Sequence, residues 1–424
     1  MVGGVPPDDV EPIQRRTVRT LVASQVVGGL GVSGGIAVGA LLASEVYGSE
    51  DLAGLAQSAQ VLGSALLAIP AARLSVARGR RTGLAFGYGL GLLGGVLAVL
   101  AGEVRSFPLL LLGTALFGGG TTAGLQARFA STDLARPARR ARTLSLVVWA
   151  TTIGAVIGPN LVGPAGSLAA TIGVEPLAGP FLLGAAFLLI AGVTVIVGLR
   201  PDPLVVARSL RAEPEPARRH GVLRRGVTAA AQSPQALLGL SAIVAAHTAM
   251  VSVMVMTPIH MQHGQATLEL IGLVISVHVA GMFAFSPVMG WLADRIGRIP
   301  VVAGAALTLL VAVALSGTSS EGHSAGLTAG LFLLGLGWSG CLVAGSTLLT
   351  EGVPVSERPA AQGASDLLMG LSAAAGGALA GLVVGTLGYG LLNAFASVLA
   401  LGLLLATVGV SSYLRTSVRA NVHK

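Results

Sequence analysis

Residues Gly290–Arg298 read GWLADRIGR. Three charges, Asp294, Arg295 and Arg298, stand between two apolar runs at about residues 268–289 and 300–317. An α-helix needs about 20 mostly apolar residues to span a bilayer, and each run approaches or exceeds that length. The glycines at 290 and 297 let the backbone turn tightly between them. GWLADRIGR therefore reads as a short charged loop joining two membrane helices at one face of the bilayer.

The same pattern extends along the chain. Of its 424 residues, 53% are hydrophobic and 10% charged, and the mean hydropathy is +0.81. Soluble domains carry about 25% charged residues, so the solvent here is lipid. Spans are predicted at 18–44, 52–72, 82–101, 108–128, 143–164, 178–198, 234–257, 268–289, 300–317, 325–350, 360–385 and 388–412. The fold class is thus all-α integral membrane with twelve transmembrane helices. The opening PPDDVEPIQRRTVRT is polar and charged with no cleavage site, and reads as a cytoplasmic tail rather than a signal peptide. A lone cysteine, Cys341, excludes an intrachain disulfide framework.

Arginines alternate in sidedness. Arg15, Arg16 and Arg19 precede the first span, and Arg73, Arg78, Arg80 and Arg81 occupy the second connection. Arg136, Arg139, Arg140 and Arg142 occupy the fourth, seven arginines from Arg200 to Arg225 the sixth, and Arg358 the tenth. Odd-numbered connections carry almost none, Arg105 being the exception. The positive-inside rule places both termini in the cytoplasm. The net charge of +8 then reports topology, and nucleic acid is not an expected partner.

The long connection 199–233 divides the chain into halves, 1–198 and 234–424. An offset of 218 residues aligns Gly79-Arg80 with Gly297-Arg298, Asp133 with Glu351, Arg140 with Arg358, and Gly158 with Gly376. These matches fall in unrelated loops and helices, which argues for a true repeat. Six-helix repeats are a transporter signature, with substrate bound near the midplane between repeats.

With twelve spans in two related halves, GWLADRIGR resembles the signature loop of the major facilitator superfamily. The resemblance implies alternating access and a gating role for Gly290, Asp294, Arg295, Gly297 and Arg298. It also implies that Asp294 faces the positive end of a helix from the other half, here the start of the fifth span near Thr143–Leu146. The first-half copy, ARLSVARGRR, has Val76 where the aspartate belongs, so the two gates are not expected to be equally latched. Two patterns of proton-coupled exporters are incomplete. Thr114 stands where those proteins carry an arginine, and GAVIGPNLVGP keeps Gly154, Gly158 and Pro159 but has Val162 for a glycine. An exporter motif and close helix packing through small residues both fit this remnant.

Six of eight methionines and four of seven histidines fall within residues 247–289. Met250 and Met254 form M-x-x-x-M on span seven, and His278 and Met282 form H-x-x-x-M on span eight. Residues four apart share a helical face, and thioether and imidazole donors select a soft ion such as Cu(I). With span seven ending near Thr257, Met254, Met250, His278 and Met282 lie at about 5, 10, 16 and 22 Å below the outer surface. His247 extends the first face; His260, Met261 and His263 would capture metal at the mouth. Packing by plastic methionines is the competing reading. The two pairs are similar to those of CcoA-type copper importers of the superfamily, which implies copper uptake across a bacterial inner membrane.

Asp366 and Arg128 are charged residues within or at the ends of spans, which by default carry function. Asp366 could hold a coupling proton or pair with a cation; Arg128 could snorkel to the cytoplasm. Gln60 and Asn160 could line a cavity. The expectation is a monomeric copper importer, with a proton-coupled exporter of drugs or other small organic compounds as the alternative. No enzyme, cofactor or nucleotide site is expected.

Overall fold

A computed structural model describes residues 10–48, 54–210, 221–322 and 324–422. Arg211, Arg218 and Arg219 of the long connection lie outside them. The described residues form helices and connecting turns, with no strand. In lipid the backbone must satisfy its own hydrogen bonds, which helices do within one segment.

The first half contributes α1 (Val10–Tyr47), α2 (Gly54–Arg78), α3 (Arg80–Glu103), α4 (Phe107–Ala130), α5 (Arg140–Ile157), α6 (Val162–Thr171) and α7 (Gly179–Gly198). The fifth span is α5 plus α6, joined by a 3-10 turn at Gly158–Leu161. Two short helices occupy the long connection, α8 (Pro203–Ser209) and α9 (Val222–Ala231). The second half follows with α10 (Pro234–His263), α11 (Leu268–Phe283), α12 (Ser286–Ile296), α13 (Arg298–Gly317), α14 (Ala325–Glu351) and α15 (Arg358–Val422). Among the described residues, eleven helical stretches are long and apolar enough to cross a membrane. The last of them is α15, broken at Gly388, where φ is 84° and ψ 166°. Divided there, the described residues hold twelve such stretches.

The repeat is visible in the helices themselves. α3 and α13 start 218 residues apart, as do α4 and α14. The chain turns after α2 and after α12 on a positive-φ glycine, Gly79 (φ 93°, ψ 172°) and Gly297 (φ 100°, ψ 157°), a conformation that costs a side-chain-bearing residue about 1–3 kcal/mol. Helix starts are capped as the sequence allows: Ser233 accepts from Ala236 N, Thr267 from Leu270 N and Ser324 from Leu327 N.

Two compact units result. One comprises Met1–Ala135, Ala150–Val227 and Val355–Gly370; in it α4 packs on α2 and α3, and α7 on α1 and α3. The other comprises Arg136–Trp149, Thr228–Pro354 and Leu371–Lys424; in it α14 packs on α10, α11 and α13. Each unit thus contains one segment from the opposite sequence half, taken from the arginine-bearing fourth or tenth connection and the helix it leads into.

Three predicted boundaries move. GWLADRI, read as loop, is helical to Ile296, because no helix-breaking residue follows Gly290 until Gly297, where alone the chain turns. α10 runs six residues past Thr257 to His263, through Pro258, so PIHMQHG is mostly helix rather than loop. Buried His260 and Met261 hold that last turn in the fold. Span eight breaks at Ala284–Phe285, between α11 and α12.

Candidate functional site

The residues of GWLADRIGR converge on the start of α5. Asp294 lies in the last turn of α12, and its carboxylate accepts from Ala141 N at 3.1 Å and Arg142 N at 2.9 Å. These are first-turn N–H groups of α5, which have no partner within their own helix. The anion also meets the positive end of the helix dipole. The contact, at Ala141 and Arg142, falls just before the predicted stretch 143–146. Arg298 pairs with Asp294 at 3.2 Å and Glu351 at 3.1 Å, and donates to the Ala293 and Pro137 carbonyls. Arg140 reaches the same Glu351 oxygen at 3.0 Å. Gly290 makes the approach possible: a Cβ there would lie 2.2 Å from Ser145 Oγ and 2.8 Å from the Ala141 carbonyl. Arg295 is exposed, with its guanidinium 5.0 Å from the Trp291 ring.

The first-half copy carries a related network without the aspartate. Arg80 is 1% exposed and grips Asp133 with both arms of its fork, Nε to Oδ2 at 2.7 Å and Nη2 to Oδ1 at 3.1 Å. Its Nη2 also donates to Gln362 at 2.6 Å. Arg80–Asp133 and Arg298–Glu351 are equivalent pairs under the 218-residue offset. Sequence reasoning aligned these residues without pairing them, although an Arg and a carboxylate kept at the same spacing in both halves was the available signal.

Arg128 does not snorkel. It and Asp366 are each 2% exposed and pair at 2.7 Å. Gln60 is buried, its backbone close under Gly118 of α4. Asn160 is exposed, in the 3-10 turn, and its amide donates back to the Val156 carbonyl of α5. Gly154 and Gly158 pack α5 against α1: a Cβ at Gly154 would lie 2.5 Å from the Gly29 carbonyl carbon, and Ser33 Oγ donates to the Gly154 carbonyl. Close packing accounts for these glycines.

The soft donors are distributed over several environments. α10 and α11 each pack on α14 rather than chiefly on one another. With α10 ending at His263, Met254 and Met250 lie at about 14 and 20 Å from its outer end, not 5 and 10 Å. His278 and Met282 keep their depths of about 16 and 22 Å, so depth no longer pairs Met250 with His278 most closely. Met250 is buried, while Met254 and Met282 are half-buried. His278 Nδ1 donates to the Leu331 carbonyl at 2.8 Å, and its Nε2 is buried with no partner among the described residues. His247 Nδ1 accepts the indole N–H of Trp338 at 2.9 Å. His260 bonds Ser319 at 3.2 Å and stacks on Tyr389 at 4.2 Å. Met261 is fully buried, and His263 is exposed 3.9 Å from Glu321. Among the described residues, no group of three or more His, Cys, Asp or Glu could hold a metal ion.

One cluster was not foreseen. Trp338 of α14 bonds His247 of α10 and meets Phe283 of α11 edge-on, ring centroids 5.6 Å apart. Aromatics make up 4% of the chain, so three helices presenting rings at one place is a conspicuous concentration. Trp338 is one of three tryptophans, and that scarcity was the signal.

The Major Facilitator Superfamily family model matches residues 21–265 and 238–421. An uncharacterised MFS-type transporter of Bacillus subtilis (strain 168), YdeG, is 39% identical over 396 residues, 93% of this chain and 92% of that protein. The riboflavin transporter RfnT of Brucella anthropi is 30% identical over 380 residues, 89% of this chain and 92% of that protein. The crystal structure of the human organic anion transporter MFSD10 superposes with a TM-score of 0.74 at 17% identity, covering 95% of this chain and all of that one.

Proposed function

The chain belongs to the major facilitator superfamily, and from that premise we propose that this secondary transporter carries a small organic compound with a flat ring system. The observation that carries the substrate class is the ring cluster of His247, Trp338 and Phe283. Half-buried His247 and Phe283 leave ring surface open beside a Trp whose N–H is already satisfied. Aromatic pairs are worth about 0.5–1.5 kcal/mol beyond the area they bury, so such a surface favours a planar ligand over an ion. The relative RfnT, named as a riboflavin transporter, supports the same class.

In this reading the Asp294 contact is a latch. It ties α12 to the start of α5, hence one sequence half to the other, and it must break for that face to open. In this reading the membrane is a bacterial inner membrane, the chain acts as a monomer, and the arginine distribution supports a cytoplasmic location for this face and both termini. Riboflavin is the first probe. Proteoliposomes holding the wild-type chain are expected to move it faster than those holding a Trp338→Leu variant of equal abundance. Equal rates, at the level of empty liposomes, would remove the reading.

A second reading, copper import, keeps one specific support. His278 has the arrangement of a metal-binding imidazole, Nδ1–H held by a carbonyl and Nε2 left as the acceptor. Met282 follows one turn later. The relatives described above do not carry copper in their names. Copper accumulation that exceeds the host background and falls with both Met250→Leu and His278→Leu would favour this reading over the first.

A further inference from the structure

Two ion pairs lie buried in the unit that holds Val355–Gly370, and they differ in how completely they are satisfied. Asp133 has both oxygens bonded to the Arg80 fork, and Arg80 has Gln362 as well. Arg128 and Asp366 share a single hydrogen bond, Nη2 to Oδ1. Asp366 Oδ2, Arg128 Nε and Arg128 Nη1 are buried and unpartnered among the described residues. The second pair joins α4 of the first sequence half to α15 of the second.

We infer that Asp366 is the binding site for a coupling proton, with Arg128 as its counter-charge. The inference rests on the alternating-access reading and adds to it the ion that drives the cycle. Only one member of the pair can exchange a proton, because guanidinium stays charged in proteins. The proton adds to the unpartnered oxygen, Oδ2, and converts the carboxylate to a neutral acid. Arg128 then keeps its charge and loses its anion. It has a second support in place, the ring of Phe129, 4.6 Å from the guanidinium carbon, and a cation over an aromatic face is stabilised without a counter-ion. No such reserve is seen for Arg80, whose partner Asp133 has both oxygens bonded already. The charged groups facing Asp366 are Arg128 from α4 and, beyond it, Arg80 at the start of α3 with its Asp133. α2 presents Ala65, Ala68 and Ala72 against Gly370 and Gly363 on the flanks and contributes no titratable group there. Protonation therefore removes one attraction between the two sequence halves, while the Arg80–Gln362 bond beside it remains.

The test needs no substrate. Ala77 and Ile296 are exposed, one in the last turn of α2 and one in the last turn of α12. Spin labels on cysteines at these two positions, in a Cys341→Ser background, report the separation of the two helix ends by pulsed electron resonance. In the wild type the long-distance population is expected to grow between about pH 8 and pH 5, its ratio to the short one changing by at most tenfold per pH unit, the limit for one proton. Asp366→Asn removes that dependence. That variant leaves Arg128 buried without an anion and can fail to fold, so the neutral double variant Arg128→Met, Asp366→Leu is measured beside it. A buried pair replaced by apolar residues is often tolerated, and this variant is expected to give one distance distribution at all pH values. Asp366→Glu is expected to restore a pH response. Three results each overturn the proposal: a wild type that ignores pH, a double variant that keeps the wild-type response, or a response to sodium at constant pH in place of protons. Because the readout uses no riboflavin, its failure is separable from failure of the substrate reading.

Discussion

Replacing Asp294 by Asn tests the latch. The carboxylate spends its two oxygens on two backbone N–H groups, at 2.9 and 3.1 Å, and its side chain is 7% exposed. Asparagine keeps one acceptor oxygen and turns an NH2 group toward the other N–H and toward Arg298. One charge-assisted bond is lost outright, about 1.5–3 kcal/mol. Arg298 retains Glu351, so no cation is stranded. The open state has no such contact to lose, so the whole difference falls on the closed state. At 1.4 kcal/mol per tenfold, the ratio of open to closed is expected to rise about 10- to 150-fold. The spin pair at Ala77 and Ile296 reads this ratio directly, at a single pH. Arg295→Ala, which touches only exposed Trp291, serves as the control and is expected to match wild type. A ratio for Asp294→Asn within about twofold of wild type, the scatter expected of independent sites, would refute the latch.

Gly290→Val is expected to open the same face and slow transport, since its first side-chain carbon would sit 2.2 Å from Ser145 Oγ; adding Ser145→Gly should recover part of the loss in the distance measurement. Gly388→Ala meets no atom within 4 Å, so its cost is backbone strain alone at φ 84°. That cost is about 1–2 kcal/mol, and thermal unfolding in detergent should show a drop of a few degrees with the transport rate little changed. Trp338→Phe keeps a ring but forfeits the bond to His247, whereas Trp338→Leu loses both; riboflavin flux in proteoliposomes should fall for Leu more than for Phe.

The fold was legible because lipid imposes few choices. Apolar runs of spanning length, arginines on alternate connections and an offset of 218 residues fix twelve helices and their repeat. The Asp294 contact was legible through the resemblance of GWLADRIGR to a known signature loop, which implies a carboxylate facing a helix start; the charge pattern alone does not name its partner. What stayed hidden was set by tertiary packing. Spacing along α10 and α11 showed which donors share a face but not that both helices turn to α14. Span seven reads as ending near Thr257, yet the helix continues through Pro258, since proline removes only one hydrogen bond and burial of His260 and Met261 holds the next turn in the fold. Arg128, near the end of its span, read as free to reach the surface, because nothing local announces a carboxylate 238 residues away.

The two charged loops share a fold and close by different chemistry. In the second half, Asp294 accepts from Ala141 N and Arg142 N. The offset of 218 maps this trio onto Val76, Pro359 and Ala360. Valine offers no anion, and proline has no N–H to give, so both sides of the contact are missing together. The long connection occupies their surroundings. Val222 of α9 packs with Ala72 and Ala360, a Cβ at Gly226 would lie 2.2 Å from the Ala360 carbonyl oxygen, and Arg225 pairs with Glu357. From α8, Arg208 donates to the Val76 carbonyl at 3.0 Å. Asp202 caps α8 and also accepts from Arg81 N at 2.8 Å, at the start of α3. An anion at a helix start can be released at little cost once water reaches it, whereas packed apolar surface must be exposed to separate, at about 25 cal/mol per Å². Where the first-half aspartate is lost, the linker therefore packs on Ala72 and Ala360 by burial, and under the latch proposal Asp294 is the contact whose release is rapid.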